Sequence, residues 1–227
     1  MPEGMGYRPS PEEIDQAENM MTAKEKKMSQ KRRREEIEQV ISGSDTITNP
    51  SVYSQHYFHM ERKKEIYSKF LEDISPNLKG NRLIDLGCGK TIQYMLEIAR
   101  RTGALEYIGV DKAHKPTFHV DEKDDLTITT YKEDMLRFLS SQPDNSANIT
   151  INGIDYCIID PSEGINKEYF DLLAEEINRV SGKDHIVFGI ESPNIFNRLE
   201  NMGFERTRYQ FVNVLRSGEN EGGQESE

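Results

Sequence analysis

RLIDLGCGKT, residues 82–91, packs an apolar run, an acid, two glycines and a lysine into ten positions. An apolar strand that runs into a glycine turn is the usual way to bring backbone close to a nucleotide-like ligand. A phosphate loop needs a glycine separated from Gly89 by four residues, and that place holds Ile84. A dinucleotide fingerprint needs its third glycine three residues after Gly89, where Ile92 would crowd helix against strand. What remains is D-x-G-x-G: Asp85 closes a strand, and Gly87 and Gly89 let the chain turn tightly and present amides at the start of a helix.

Outward from this turn the pattern alternates. Strands are predicted at 81–87, 105–111, 125–131, 153–160 and 184–191, and helices at 91–103, 134–142, 166–182 and 194–203. Residues 204–216 read as a final strand or tight hairpin. Strands alternating with helices of this length predict an α/β fold, a doubly wound and mostly parallel sheet covered on both faces. Continuous apolar stretches such as YCII and IVFGI suit strands buried on both sides. No glycine marks a turn within 204–216, so a C-terminal hairpin is expected to be truncated.

Ahead of the turn, residues 11–41 predict a long helix with Ser10 as N-cap and Pro11 in its first position. Its apolar stripe of Ile14, Ala17, Met21, Met28, Ile37 and Ile41 is thin, which predicts a helix lying on the surface or standing clear of it. The segment KEKKMSQKRRR, 24–34, carries seven basic residues and one Glu, followed at once by EEIE. It reads either as a solvated face with pairs such as Lys31 with Glu35 and Arg34 with Glu38, or as a docking stretch for RNA or a protein partner. A second helix over 51–74 carries Tyr53, Tyr57, Met60, Ile66, Tyr67, Phe70, Leu71 and Ile74 toward the core. The domain reading is therefore a charged helical extension over 1–50, a Rossmann-like domain over 51–216 and a disordered acidic tail over 217–227.

The 227 residues suit one domain with extensions. The net charge of −11 argues against broad attraction to nucleic acid or an anionic membrane, leaving only a local basic patch to override it. No apolar run reaches bilayer length, and the N-terminus lacks a signal pattern, so a cytoplasmic protein without membrane contact is expected. Cys88 and Cys157 show no metal-ligand spacing and are expected to be reduced thiols.

LIDLGCG resembles motif I of the class I S-adenosylmethionine-dependent methyltransferases, and the resemblance covers about residues 80–216. It implies S-adenosylmethionine as cofactor, with Asp85, Gly87, Cys88 and Gly89 around its methionine and ribose portion. The family's third glycine is replaced here by Thr91, after Lys90. A second acid matches at the tip of the next strand, Asp111 followed by Lys112, 22 residues beyond Gly89. A carboxylate at a strand tip can accept both ribose hydroxyls. In YKEDMLRF, Asp134 and Met135 match the adenine pocket, and Asp134 also suits the N-cap of the following helix.

On the acceptor side, Asp160 is expected to end the fourth strand and run into PSEGIN, so that Asp160, Ser162 and Glu163 face the transferred methyl. Either Asp160 or Glu163 is a candidate general base, while Asp160 before Pro161 also suits a loop cap. The DPSE segment lacks the second proline and the aromatic of amino-methylating relatives, which disfavours adenine or cytosine as acceptor. Asp160, Glu191 and Asn194 form an oxygen-rich set, but the family's metal-dependent members have a different motif I, and no metal is expected. HYFHMER, 56–62, is a candidate lid carrying Tyr57 and Arg62 toward the cofactor carboxylate, whereas His56, His59, His114 and His119 read as solvated. The expected activity is methyl transfer from S-adenosylmethionine to an acceptor left open between small molecule, protein and RNA. The alternative is a catalytically silent scaffold that binds a protein or RNA partner.

Overall fold

The computed structural model describes residues 11–44, 82–89, 92–112, 117–121, 125–152, 154, 164–190, 192–209 and 212–217. The predicted helix over 51–74 lies outside them. The described elements are α1 (Pro11–Gly43), β1 (Arg82–Leu86), α2 (Gln93–Arg101), β2 (Glu106–Val110), β3 (Thr117–Asp121), β4 (Leu126–Tyr131), α3 (Met135–Ser140), β5 (Asn148–Asn152), α4 (Gly164–Ser181), β6 (Val187–Ile190), α5 (Pro193–Asn201), β7 (Phe204–Tyr209) and β8 (Val212–Ser217).

The strands form one sheet in the order β3-β4-β2-β1-β5-β6-β8-β7. β4, β2, β1, β5 and β6 run parallel. β3 on one edge runs antiparallel to β4, and on the other side β8 runs antiparallel both to β6 and to the outermost strand β7. Strand order reverses at β1, whose neighbours are β2 and β5, and this is where a parallel sheet opens a crevice beyond its carboxyl ends.

Alternation along the strands sorts side chains to two buried faces. Ile84, Leu86, Ile108, Val110, Ile149 and Ile151 face α1, α3, α4 and α5, meeting Leu136, Phe170, Leu173 and Phe196. Leu83, Tyr107, Ile128 and Phe188 face α2, meeting Met95, Ile98 and Ala99. Burial on both faces explains why these strands read as continuous apolar runs.

Four sequence expectations are corrected by these elements. The fourth parallel strand is Asn148–Asn152, ahead of the predicted 153–160. NITIN is a β-branched alternation that buries Ile149 and Ile151, and this pattern competes for the same sheet position as the longer apolar run behind it. Residues 117–121, predicted as loop around His119, form the edge strand β3, which pairs with β4 from Thr117↔Thr130 to Asp121↔Leu126. The connection between them turns at Asp125, with φ of 54°. The C-terminal hairpin is present rather than truncated: β7 and β8 pair from Phe204↔Ser217 to Tyr209↔Val212.

The fourth correction concerns α1. Its C-terminal part docks on α3 and α4, with Ile37 and Val40 at 1% and 2% exposure in the core and Ile41 packed beside them. Gly43 ends against Ile165 at the start of α4. Polar contacts fix the approach. Arg137 donates to both carboxylate oxygens of Glu38, at 2.6 and 2.5 Å, and Arg33 pairs with Glu36, Glu175 and Glu176. Glu38 thus bonds Arg137 of α3, and among the described residues its expected pair with Arg34 does not form. The expected Lys31–Glu35 pair is present, at 3.7 Å and well exposed. No helix among the described residues is long and apolar enough to cross a membrane.

Candidate functional site

The site is built from the carboxyl ends of β1, β2 and β4. β1 ends at Leu86, and the chain then turns through Gly87 and Gly89, with φ of 74° and 66°. A side chain at either place would force a left-handed backbone that costs about 1–2 kcal/mol per residue, so glycine is required for this turn. The turn folds over β2: Gly87 N–H and Cys88 N–H both donate to Val110 carbonyl, at 2.9 and 3.3 Å. Gly89 N–H donates to the Asp111 carboxylate at 3.0 Å. The glycine turn and the second acid, 22 residues apart in sequence, are therefore one hydrogen-bonded unit.

Close approach makes this possible. A Cβ on Gly109 would lie 3.0 Å from Cys88 Sγ and 3.2 Å from Thr130 Cγ2, so the glycine of β2 is the seat in which Cys88 rests. Burial pushes the Cys88 thiol pKa up, and the neighbouring Asp85 and Asp111 carboxylates push it further. Cys88 is thus a protonated thiol across the ordinary pH range, not a nucleophile. In a Cys157→Ser background, native protein at pH ~8 is expected to resist iodoacetamide and to be labelled at Cys88 only on unfolding, as mass spectrometry would show.

Asp85 lies on the α2 face of β1, 1% exposed, with Gly109 of β2 and Thr150 of β5 as its register neighbours. Tyr107, fully buried two residues before Gly109, donates its hydroxyl to Asp85 Oδ2 at 2.7 Å. Burial raises the Tyr107 pKa well above the usual phenol value, and the Asp85 charge adds to the shift.

Asp134 closes the third side. It is the N-cap of α3, accepting from Leu136 N–H at 2.9 Å and Arg137 N–H at 3.3 Å. It also accepts from the buried Tyr169 hydroxyl of α4, at 3.2 and 3.1 Å, and pairs with Lys112 Nζ at 2.8 Å. This carboxylate is heavily engaged by the fold, so the capping half of its expected role is what the geometry displays. Met135 begins α3 and packs against the core.

Gly87, Cys88, Gly89, Asp111, Lys112, Asp134 and Met135 are thus gathered beyond the carboxyl ends of the central strands, with Asp85 buried in β1 just beneath them. Asp160, Ser162, Glu163, Tyr57 and Arg62 lie outside the described residues. The strand beside β1 ends at Asn152, so Asp160 does not close it as expected. Beyond β5 the chain is held at Ile154, whose N–H donates to the buried Ser192 Oγ just before α5. Asn194 falls in the first turn of α5, and its expected metal partners Asp160 and Glu191 are outside the described residues. Sequence reasoning missed Tyr107 and Gly109. Their signal was the two-residue period of β2, which places 107, 109 and 111 on one face.

The doubly wound sheet, parallel at its centre, is the one the motif I resemblance implied. The fold is Rossmann-like. Among solved structures, the chain is similar to an S-adenosylmethionine-dependent methyltransferase from Archaeoglobus fulgidus, at 19% identity over 66% of this chain and 75% of that one, with a TM-score of 0.40. It is similar to another from Aquifex aeolicus, at 14% identity over 72% and 96%, with a TM-score of 0.46. A third is the magnesium protoporphyrin IX methyltransferase from Synechocystis, solved with bound S-adenosylmethionine, at 14% identity over 77% and 86%, with a TM-score of 0.43. No protein-family model matches the chain, and no curated protein sequence matches it.

Proposed function

We propose that this protein binds S-adenosylmethionine in the crevice over β1, β2 and β4 and transfers its methyl group to an acceptor. The observation that carries the reading is the junction in which left-handed Gly87 and Gly89 bend over β2 and Gly89 N–H fixes the buried Asp111 carboxylate. The residues present suit the group. Two side-chain-free positions open the turn, and Asp111 offers acceptor oxygens for a vicinal diol at a strand tip. Asp85 and Asp111 bring acidic side chains to the turn, which suits a cationic ligand, and the Lys112–Asp134 pair adds no net charge.

Bound S-adenosylmethionine supplies an electrophilic methyl carbon on a positively charged sulfur. The protein's own tasks are to hold that carbon in line with the incoming lone pair and to exclude water. The Asp111 carboxylate would hold the ribose, Gly89 N–H keeps that carboxylate in place, and the turn backbone would hold the methionine portion. Tyr57 and Arg62 are assigned to a lid, and Asp160 or Glu163 to removal of the acceptor's proton where it has one. The chain is assigned to the cytoplasm, and its acceptor to small molecules, proteins or RNA.

Titration calorimetry with S-adenosylmethionine and with S-adenosylhomocysteine tests the reading. Saturable binding of both is expected, and absence of heat at millimolar ligand overturns it. Labelled donor incubated with fractionated extract then identifies the acceptor class. Binding without label transfer would instead favour the scaffold.

A further inference from the structure

Asp85 is the acid of the glycine motif, yet it is 1% exposed and lies within the sheet rather than at its rim. A carboxylate so placed keeps its charge only if hydrogen bonds stabilise the anion. Tyr107 supplies one from the adjacent strand, at 2.7 Å, with its ring fully buried among Leu83, Ile98 and Ile128. The tyrosine is thus locked by packing and can present its hydroxyl in one direction. We propose that Tyr107 is a positioning residue for the crevice: its hydroxyl holds the Asp85 carboxylate as an anion beneath the glycine turn, so that the site prefers a cationic sulfonium ligand to a neutral thioether. This inference rests on the proposed function and extends it to how the site distinguishes donor from spent product.

The surroundings of Asp85 favour this assignment. On the β2 side stand Tyr107 and, across Cys88, Asp111; on the β5 side stands Thr150. α2 covers the face with Met95, Ile98 and Ala99, none of which titrates. The phenol is held in its protonated form by burial and by Asp85, so it acts as a donor throughout the working pH range. The proton therefore stays on tyrosine.

Removing the hydroxyl separates this role from packing, because Tyr107→Phe keeps the ring. Tyr107 is one of the partners of Asp85, and losing its hydrogen bond raises the pKa of this buried carboxyl toward the neutral acid. The sign follows: a raised pKa means charge is lost as pH falls, so the defect grows toward acid and shrinks toward alkali. Calorimetry from about pH 5 to about pH 9 should show the S-adenosylmethionine to S-adenosylhomocysteine affinity ratio of Tyr107→Phe falling about tenfold below wild type at the acid end and converging at the alkaline end. Asp85→Asn should show the low ratio at every pH, and the double variant should be no worse than Asp85→Asn. If either single variant keeps the wild-type ratio and pH profile, the inference is overturned while the cofactor reading stands. If wild-type protein binds neither nucleoside, both fall.

Discussion

Ile37→Ala is expected to lower the free energy of unfolding by about 2–5 kcal/mol, whereas Met28→Ala, nine residues earlier on the same helix, should leave it nearly unchanged. Ile37 is 1% exposed and packs in the main core, while Met28 is 51% exposed. Removing three carbons from a buried isoleucine loses transfer free energy and leaves a cavity, because α3 and α4 hold its walls in place. The ion pairs along α1 do not replace that contribution. The Glu38–Arg137 pair is about half exposed on both sides, and surface pairs contribute roughly 0–1 kcal/mol. Denaturant midpoints of the two variants decide the matter. Equal midpoints would mean that α1 decorates the domain, and a large gap would mean that its C-terminal part completes the core.

That result bears on what the sequence could reveal. The docked stripe of α1 is Ile37, Val40 and Ile41, spaced i, i+3, i+4, which is the pattern of a buried face. Averaged over a 33-residue helix it is diluted by the charged stretch before it, so the helix reads as surface-bound. The glycine turn was legible because its requirements are local: an acid, two glycines and a strand tip are set by spacing alone. The register of the fourth strand was not. NITIN and IDYCIID both satisfy strand composition, and only the pairing of Leu83↔Asn148 through Leu86↔Ile151 selects the former. The hairpin was obscured for a related reason. A six-pair antiparallel ladder and the burial of Phe204, Val214 and Leu215 hold β7 and β8 together without a glycine in 204–216 to advertise the turn. Tyr107 was hidden differently. Its type suits any apolar strand, and its role appears only when the face it shares with Asp85 is known.

The largest functional effect should come from Asp111→Asn, which is expected to weaken S-adenosylmethionine binding by about 10- to 100-fold with little change in circular dichroism. Asparagine keeps the shape and can still accept from Gly89 N–H, so the 3.0 Å tie between turn and strand tip can survive. It loses the negative charge and one acceptor oxygen, replacing it with a donor that faces the ribose hydroxyls wrongly. A hydrogen bond to a charged acceptor contributes about 1.5–3 kcal/mol, which converts to that range of affinity. Asp111→Ala adds a structural defect, since Gly89 N–H then loses its side-chain partner and the turn relaxes. The comparison therefore separates charge from scaffolding. If Asn and Ala weaken binding equally without loss of stability, Asp111 acts on the ligand alone. If Asn binds like wild type and only Ala fails, the carboxylate serves the turn and the ribose is held elsewhere.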